Sequence, residues 1–132
     1  MATLNTVELK VTTNRPQDTA TMVVSCAVEF TDFEVNAMNL LGLRYNLQCQ
    51  LQDLDMPYAD PVHSFDWQHF PRVPSGVIPH EHVVFEAVLA TSSLHVYALG
   101  KDGLFATVTL TNEETGAEVT RRGKFVALDL AA

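Results

Sequence analysis

An alternation of apolar and polar residues constrains this chain more than any other feature, and it is clearest over Leu43–Leu51. Successive side chains of a β-strand point to opposite faces, so this alternation predicts a strand with one buried face and one face in water. The apolar residues that would share the buried face are Leu43, Tyr45, Leu47, Cys49 and Leu51.

The same pattern recurs along the chain, with turn residues between the segments. The other predicted strands are Leu4–Thr13, Thr21–Thr31, Ser64–Phe70, His82–Ala90, Leu94–Leu99, Leu104–Thr111 and Glu118–Leu128. Within the last of these, Gly123 marks a place where a β-bulge fits. Seven to eight short strands with hardly any helix are typical of an antiparallel two-sheet sandwich of immunoglobulin-like architecture. A small β-barrel is the alternative.

Residues 32–41 allow two interpretations. Thr31 and Glu34 have the spacing of a helix capping box, and Gly42 can end a helix in the left-handed conformation. Phe33, Val35 and Ala37 also alternate as they would in an extended chain. The sequence favours a short helical turn or bend here, with a strand as the alternative.

Length and charge limit the classes of function. A chain of 132 residues is expected to form one domain, residues 1–132, without disulfides or metals. Sixteen acidic residues against eight Lys and Arg give a net charge of −8. Nucleic acids and anionic lipids are bound mainly through cationic side chains, so we expect neither as a partner.

The cysteines and the first residues bear on the cellular compartment. The N-terminal segment has no basic stretch followed by an apolar one, so it does not resemble a secretory signal. We therefore expect a cytoplasmic protein in which Cys26 and Cys49, both on predicted core faces, remain reduced.

One long segment, residues 53–82, interrupts the strand pattern. It holds five of the six prolines, four of the five histidines and the only tryptophan. Aromatic side chains on a proline-stiffened loop lose little entropy on binding, so they predict an interaction surface. The four aromatic residues are Tyr58, Phe65, Trp67 and Phe70. The alternative is that they cover one open end of the sandwich core.

The end of this segment carries a candidate metal site. His80 and His82 would point the same way from a strand, and Glu86 lies farther along the same face. Two histidines and a carboxylate suit zinc, iron or manganese. The spacing HxHxxxE resembles the first metal motif of the cupin family, whose β-barrels include many oxygenases and isomerases. The resemblance covers seven residues and implies a metal-dependent enzyme.

The start of the segment carries a second candidate metal site. Asp53, Asp55 and Asp60 could surround a hard cation with oxygen ligands. Their arrangement resembles the calcium loop of C2 domains, which are also β-sandwiches, and implies calcium-dependent binding. The alternative is a polar loop in which the aspartates cap turns.

A catalytic nucleophile has little support, because no serine lies in a Gly-x-Ser-x-Gly turn and both cysteines lie on core faces. No family resemblance extends across the chain. The sequence therefore favours a non-catalytic interaction or assembly module that associates with itself, with another protein, or with both. We expect no cofactor; if one is bound, it would be a transition metal or calcium.

Overall fold

Two antiparallel β-sheets packed face to face form this protein, as the sequence predicted. The computed structural model describes residues 1–53, 61–72, 75–91, 103–124 and 126–127. Sheet A contains β1 (Thr3–Asn14), β2 (Thr19–Glu29) and β6 (His80–Ala90). Sheet B contains β3 (Tyr45–Asp53), β4 (His63–Ser64), β5 (Gln68–Phe70), β7 (Gly103–Asn112), β8 (Glu118–Arg122) and β9 (Val126–Ala127). A helix, α1 (Asp32–Leu41), connects β2 to β3.

The strand order is that of an immunoglobulin-like sandwich. Sheet A has the order β1-β2-β6, and sheet B has the order β4-β3-β7-β8, with β5 also paired to β3 and β9 to β7. Strands that are far apart in the sequence therefore lie side by side, β2 next to β6 in sheet A and β3 next to β7 in sheet B. Strands B and E, and strands C and F, are neighbours in the same way in the immunoglobulin fold. The two sheets of the described chain do not close on each other, so the barrel alternative is wrong.

The core lies between the sheets and follows the predicted alternation. Every second residue of β2, β3 and β7 is buried, and Cys26 and Cys49 are buried on opposite sheets. The buried positions on the core face of these strands are Ala20, Met22, Val24, Cys26, Val28, Tyr45, Leu47, Cys49, Leu51, Leu104, Ala106, Val108 and Leu110, and Phe105 is buried on the other face of β7. The period-two pattern thus identified the core register correctly.

Residues 32–41 form a helix, with the ends that the sequence suggested. The backbone N–H of Glu34 donates to the Thr31 hydroxyl at 3.2 Å, and the Glu34 carboxylate accepts from the Thr31 backbone N–H at 2.9 Å. This is a complete capping box. Gly42 ends the helix with φ at 81°, a conformation that costs other residues energy.

Two bulges lie against each other where the edges of the two sheets meet. The β1–β2 register shifts by one residue between Asn5 and Glu8, and Thr6 has φ at 55°. The segment predicted as one strand, Glu118–Leu128, is divided into β8 and β9, and its register with β7 shifts by one residue between them. Gly123 lies between β8 and β9, at the position where the sequence predicted a bulge.

One other predicted strand differs from the structure, and one cannot be compared with it. Ser64–Phe70 forms two short strands, β4 and β5, both paired with β3 at the edge of sheet B. The predicted strand Leu94–Leu99 lies outside the described residues.

Candidate interaction surfaces

The aromatic residues of the loop divide between the core and the surface. Phe65 is 5% exposed and packs against Phe85 at 5.7 Å between ring centroids. Phe70 is 1% exposed and makes an edge contact with Phe30. Trp67 is 51% exposed. Phe65 and Phe70 thus close the core, which was the alternative interpretation, and Trp67 is available to a partner.

Tyr58, the fourth predicted contact residue, lies outside the described residues. Asp55 and Asp60 of the candidate calcium site also lie outside them, and Asp53 is known only as the last residue of β3. The calcium hypothesis therefore stays a prediction.

The candidate transition-metal residues share one strand face, as predicted. His80, His82 and Glu86 all project from β6 to the exposed side of sheet A. Glu86 lies four residues beyond His82, a separation of about 13 Å along a strand. The carboxylate nearest to His80 belongs instead to Glu29, at 3.5 Å from its Nδ1. No three potential ligands in the described ranges are grouped to hold a metal ion, and the metal hypothesis stays a prediction.

A large exposed apolar surface, which the sequence had not predicted, lies on α1. We call it the helix surface: Phe33, Leu40 and Leu41, which are 78%, 77% and 81% exposed. Phe33 and Leu40 are seven residues apart and lie on the same side of the helix. Ala37 and Met38 supply the buried apolar contacts of α1. Leu41 follows Ala37 and Met38 at helical spacing, but it lies beyond the edge of the core and is exposed.

The loop that leads into β6 is joined to this helix. The Asn39 side chain donates to the Val77 carbonyl at 3.2 Å and accepts from the Val77 backbone N–H at 3.3 Å. Ile78, the next residue, is 59% exposed. The contact fixes the loop beside α1, so Ile78 adds apolar area next to the helix surface.

Acidic residues border the helix surface. Asp32 lies in the first turn of α1, and the last turn contains no basic residue. An open cleft of about 330 Å³ lies at the end of the helix, lined by Leu41, Arg44, Glu113 and Glu114 among others. The apolar surface is therefore surrounded mainly by negative charge.

A second exposed apolar group lies on β6. Val84 is 48% exposed and Val88 is 61% exposed, on the same face as His82 and Glu86. Among the residues that the structure describes, this strand is the outermost member of sheet A on this side. Exposed valines on a terminal strand make this face a second candidate for contact with another chain.

The buried carboxyl group of the described residues has a structural role. Glu34 accepts hydrogen bonds from the Tyr45 hydroxyl at 2.6 Å and from the Ala2 backbone N–H at 3.0 Å. Burial opposes ionisation, but the hydrogen bonds from Tyr45 and Thr31 outweigh it and lower the pKa of Glu34. Burial and the contact with Glu34 raise the pKa of Tyr45 to about 12. Both groups thus hold α1 against β3 in fixed protonation states at neutral pH.

The two cysteines are buried and free. Burial raises the pKa of Cys26 to about 11, and burial together with the nearby Cys26 raises that of Cys49 to about 12. A thiol with so high a pKa is a poor nucleophile at neutral pH, so the geometry supports no catalytic role for either residue.

Comparisons with known proteins add little to these observations. No protein-family model matches the chain, and no curated protein matches it. A solved structure titled as a crystal structure of a protein from Archaeoglobus fulgidus is similar, with a TM-score of 0.47 and 13% sequence identity. The alignment covers 96% of this chain and 99% of that chain. No helix in the described ranges is long and apolar enough to cross a membrane.

Proposed function

We propose that this protein is a non-catalytic interaction and assembly module that binds other protein chains, its own copies among them. The observation that carries the proposal is the helix surface, in which Phe33, Leu40 and Leu41 remain largely in water. Burying a large aliphatic or aromatic side chain contributes roughly 1.5–3 kcal/mol. The fold obtains none of this from the three residues, so the gain is left for a partner.

The helix surface is well prepared for binding. The capping box and Gly42 fix both ends of α1, and Asn39 fixes the adjoining loop, so little conformational entropy remains to be lost. A twofold axis beside α1 would place Phe33 of one copy against Leu40 of the other, which makes the surface complementary to itself. Another protein with an apolar helix could occupy the same position.

Trp67 and Ile78 are two further exposed apolar side chains that the proposal assigns to binding. Tryptophan is among the residues that most often dominate binding energy at interfaces. The net charge of −8 argues against nucleic acid and anionic membrane as partners. Two free thiols are in keeping with the cytoplasmic location that we propose.

Sedimentation velocity over a wide range of protein concentration tests the proposal. The wild type should sediment above the 14.6 kDa monomer as concentration rises, and Leu40→Glu should lose part of this association. Thr12→Glu places the same residue at an exposed position on β1 and should leave the association unchanged. A wild type that stays monomeric up to millimolar concentration would contradict self-assembly.

A further inference from the structure

The four edges of the two sheets differ in how they are protected against pairing with another chain. The β1 edge carries a bulge and Lys10, and the β8–β9 edge carries a bulge, two arginines and Lys124. The opposite edge of sheet B consists of β4 and β5, which are two and three residues long. Bulges, cationic side chains and short strands are the usual devices that prevent edge-to-edge pairing.

The remaining edge, β6, has neither a bulge nor a short strand, and the one cationic side chain that the described residues place on it is Arg72, which donates to the His82 carbonyl at 3.4 Å. This strand is 11 residues long and pairs with β2 from His80 to Ala90 without a register shift. The strand contains no Lys or Arg, and it exposes Val84 and Val88. A long, regular, partly apolar edge is a template for pairing with another strand.

The backbone of β6 presents alternate residues to this open edge. The His82 carbonyl accepts a hydrogen bond of 3.4 Å from the Arg72 side chain, so it points away from β2. Backbone groups alternate sides along a strand, so those of Val84, Glu86 and Val88 point the same way. Among the described residues, no strand pairs with this side of β6.

The neighbouring loop also leaves room beside the edge. A shallow cleft of about 160 Å³ separates Asp66 and Gln68 from Val84 and Glu86. The described part of the loop thus approaches this edge without pairing with it as a strand.

We propose that two copies of this chain pair along β6, antiparallel and about a twofold axis, to make one continuous six-stranded sheet. The inference rests on the proposed function and names a contact between copies that is separate from the helix surface. With the axis at Val84, each Val84 faces Val84 of the other copy. Each His82 faces Glu86 of the other copy and each His80 faces Val88, and the Arg72 side chain releases the His82 carbonyl, which accepts from the other copy instead.

This register is favoured over its neighbours. Shifting the axis to Glu86 opposes two carboxylates, and shifting it to Phe85 places Val84 against Glu86. Like charges directly opposite each other destabilise a sheet, whereas a donor or cation opposite a carboxylate stabilises it. The Val84 axis alone combines an apolar centre with two complementary His82–Glu86 pairs.

A charge exchange tests the register. Within one chain, His82 and Glu86 are about 13 Å apart and do not pair, so a compensating effect between them reports contact between copies. All variants are made in the Leu40→Glu background, which removes the helix surface from the measurement, and the dissociation constant is measured by sedimentation velocity.

The Leu40→Glu protein should retain a dimer. His82→Glu and Glu86→Lys should each weaken it about tenfold, because the first places two carboxylates opposite each other and the second removes the carboxylate that faces His82, in both symmetric pairs. The double variant His82→Glu/Glu86→Lys should restore the dimer, since the opposite charges then face each other again. Thr12→Glu on the bulged edge strand should leave the dimer unchanged.

The outcomes separate the two proposals. A wild type that does not associate contradicts both of them. A wild type that associates while Leu40→Glu is monomeric overturns the β6 pairing and leaves the proposed function standing. A dimer that persists in both single variants, or that the double variant does not restore, also overturns this pairing. Circular dichroism of each variant verifies that the exposed substitutions leave the fold intact.

Discussion

The hydroxyl of Tyr45 donates a hydrogen bond of 2.6 Å to the Glu34 carboxylate and thereby joins sheet B to the helix that carries the proposed binding surface. The same carboxylate receives the capping hydrogen bonds of Thr31 and the backbone N–H of Ala2. One buried side chain thus connects β1, α1 and β3. The orientation of the helix surface depends on this connection.

We expect Tyr45→Phe to lower the free energy of unfolding by about 1.5–3 kcal/mol, the usual range for a hydrogen bond to a charged group. The substitution keeps the ring that packs against Phe30 at 5.2 Å between centroids, so the loss reports the hydroxyl. Urea denaturation at neutral pH measures it. Thr109→Val, which removes an exposed hydroxyl from the same sheet, serves as the control and should cost less. Equal losses in the two variants would contradict a special role for the Glu34 contact.

Stability should also depend on pH through Glu34. The folded state lowers the pKa of this carboxyl below its unfolded value of about 4.3, so the unfolded chain takes up the proton first as pH falls. The contribution is therefore fully present above the unfolded pKa and is lost as pH falls through the folded pKa. The difference in unfolding free energy between wild type and Glu34→Gln should shrink over that interval. A difference that stays constant between pH 6 and pH 3 would show that ionisation of Glu34 does not stabilise the fold.

The sequence was sufficient for the buried faces of the long strands and for the residues that cap the helix, because both depend on local physics. Alternation identifies a buried strand face wherever one side meets the core, as it did around Cys26 and Cys49. The capping box depends on residues three apart, and the Thr31–Glu34 pair was visible for that reason. These features need no knowledge of which segments meet in space.

The candidate sites depend on which residues are neighbours in space, and the sequence was insufficient to predict those neighbours. Nothing in the spacing of His80 and Glu86 reveals that Glu29, 51 residues away, is the carboxylate beside His80. Phe65 and Phe70 could not be separated from Trp67 because burial in a loop has no periodic signal. The helix surface was missed because Phe33 and Leu41 fit a helical apolar pattern, yet the short helix extends beyond the core that would bury them.

The cysteines should be unreactive in the folded protein. Thiolate is the reactive form, and burial raises the pKa of Cys26 to about 11 and that of Cys49 to about 12. A chromogenic disulfide reagent at pH 8 should label neither thiol within the time that it labels glutathione completely. After denaturation it should detect two thiols per chain. Rapid labelling of the native protein, or an absence of thiols after denaturation, would contradict this prediction.

The contact between the two bulges should be sensitive to a single methyl group. A Cβ added at Gly123 would lie 2.9 Å from the carbonyl oxygen of Val7 and 3.2 Å from its Cγ1. The backbone of Val7 cannot move aside as a flexible side chain can. We therefore expect Gly123→Ala to lower the free energy of unfolding by about 1–3 kcal/mol, as overpacking does. Gly116→Asn is the matched control, because that glycine has φ at 76° and open space around it, and asparagine tolerates this conformation. Thermal and urea unfolding should show a large loss for Gly123→Ala and a small one for Gly116→Asn. Equal losses would mean that β1 and the bulge between β8 and β9 are farther apart in solution than in this structure.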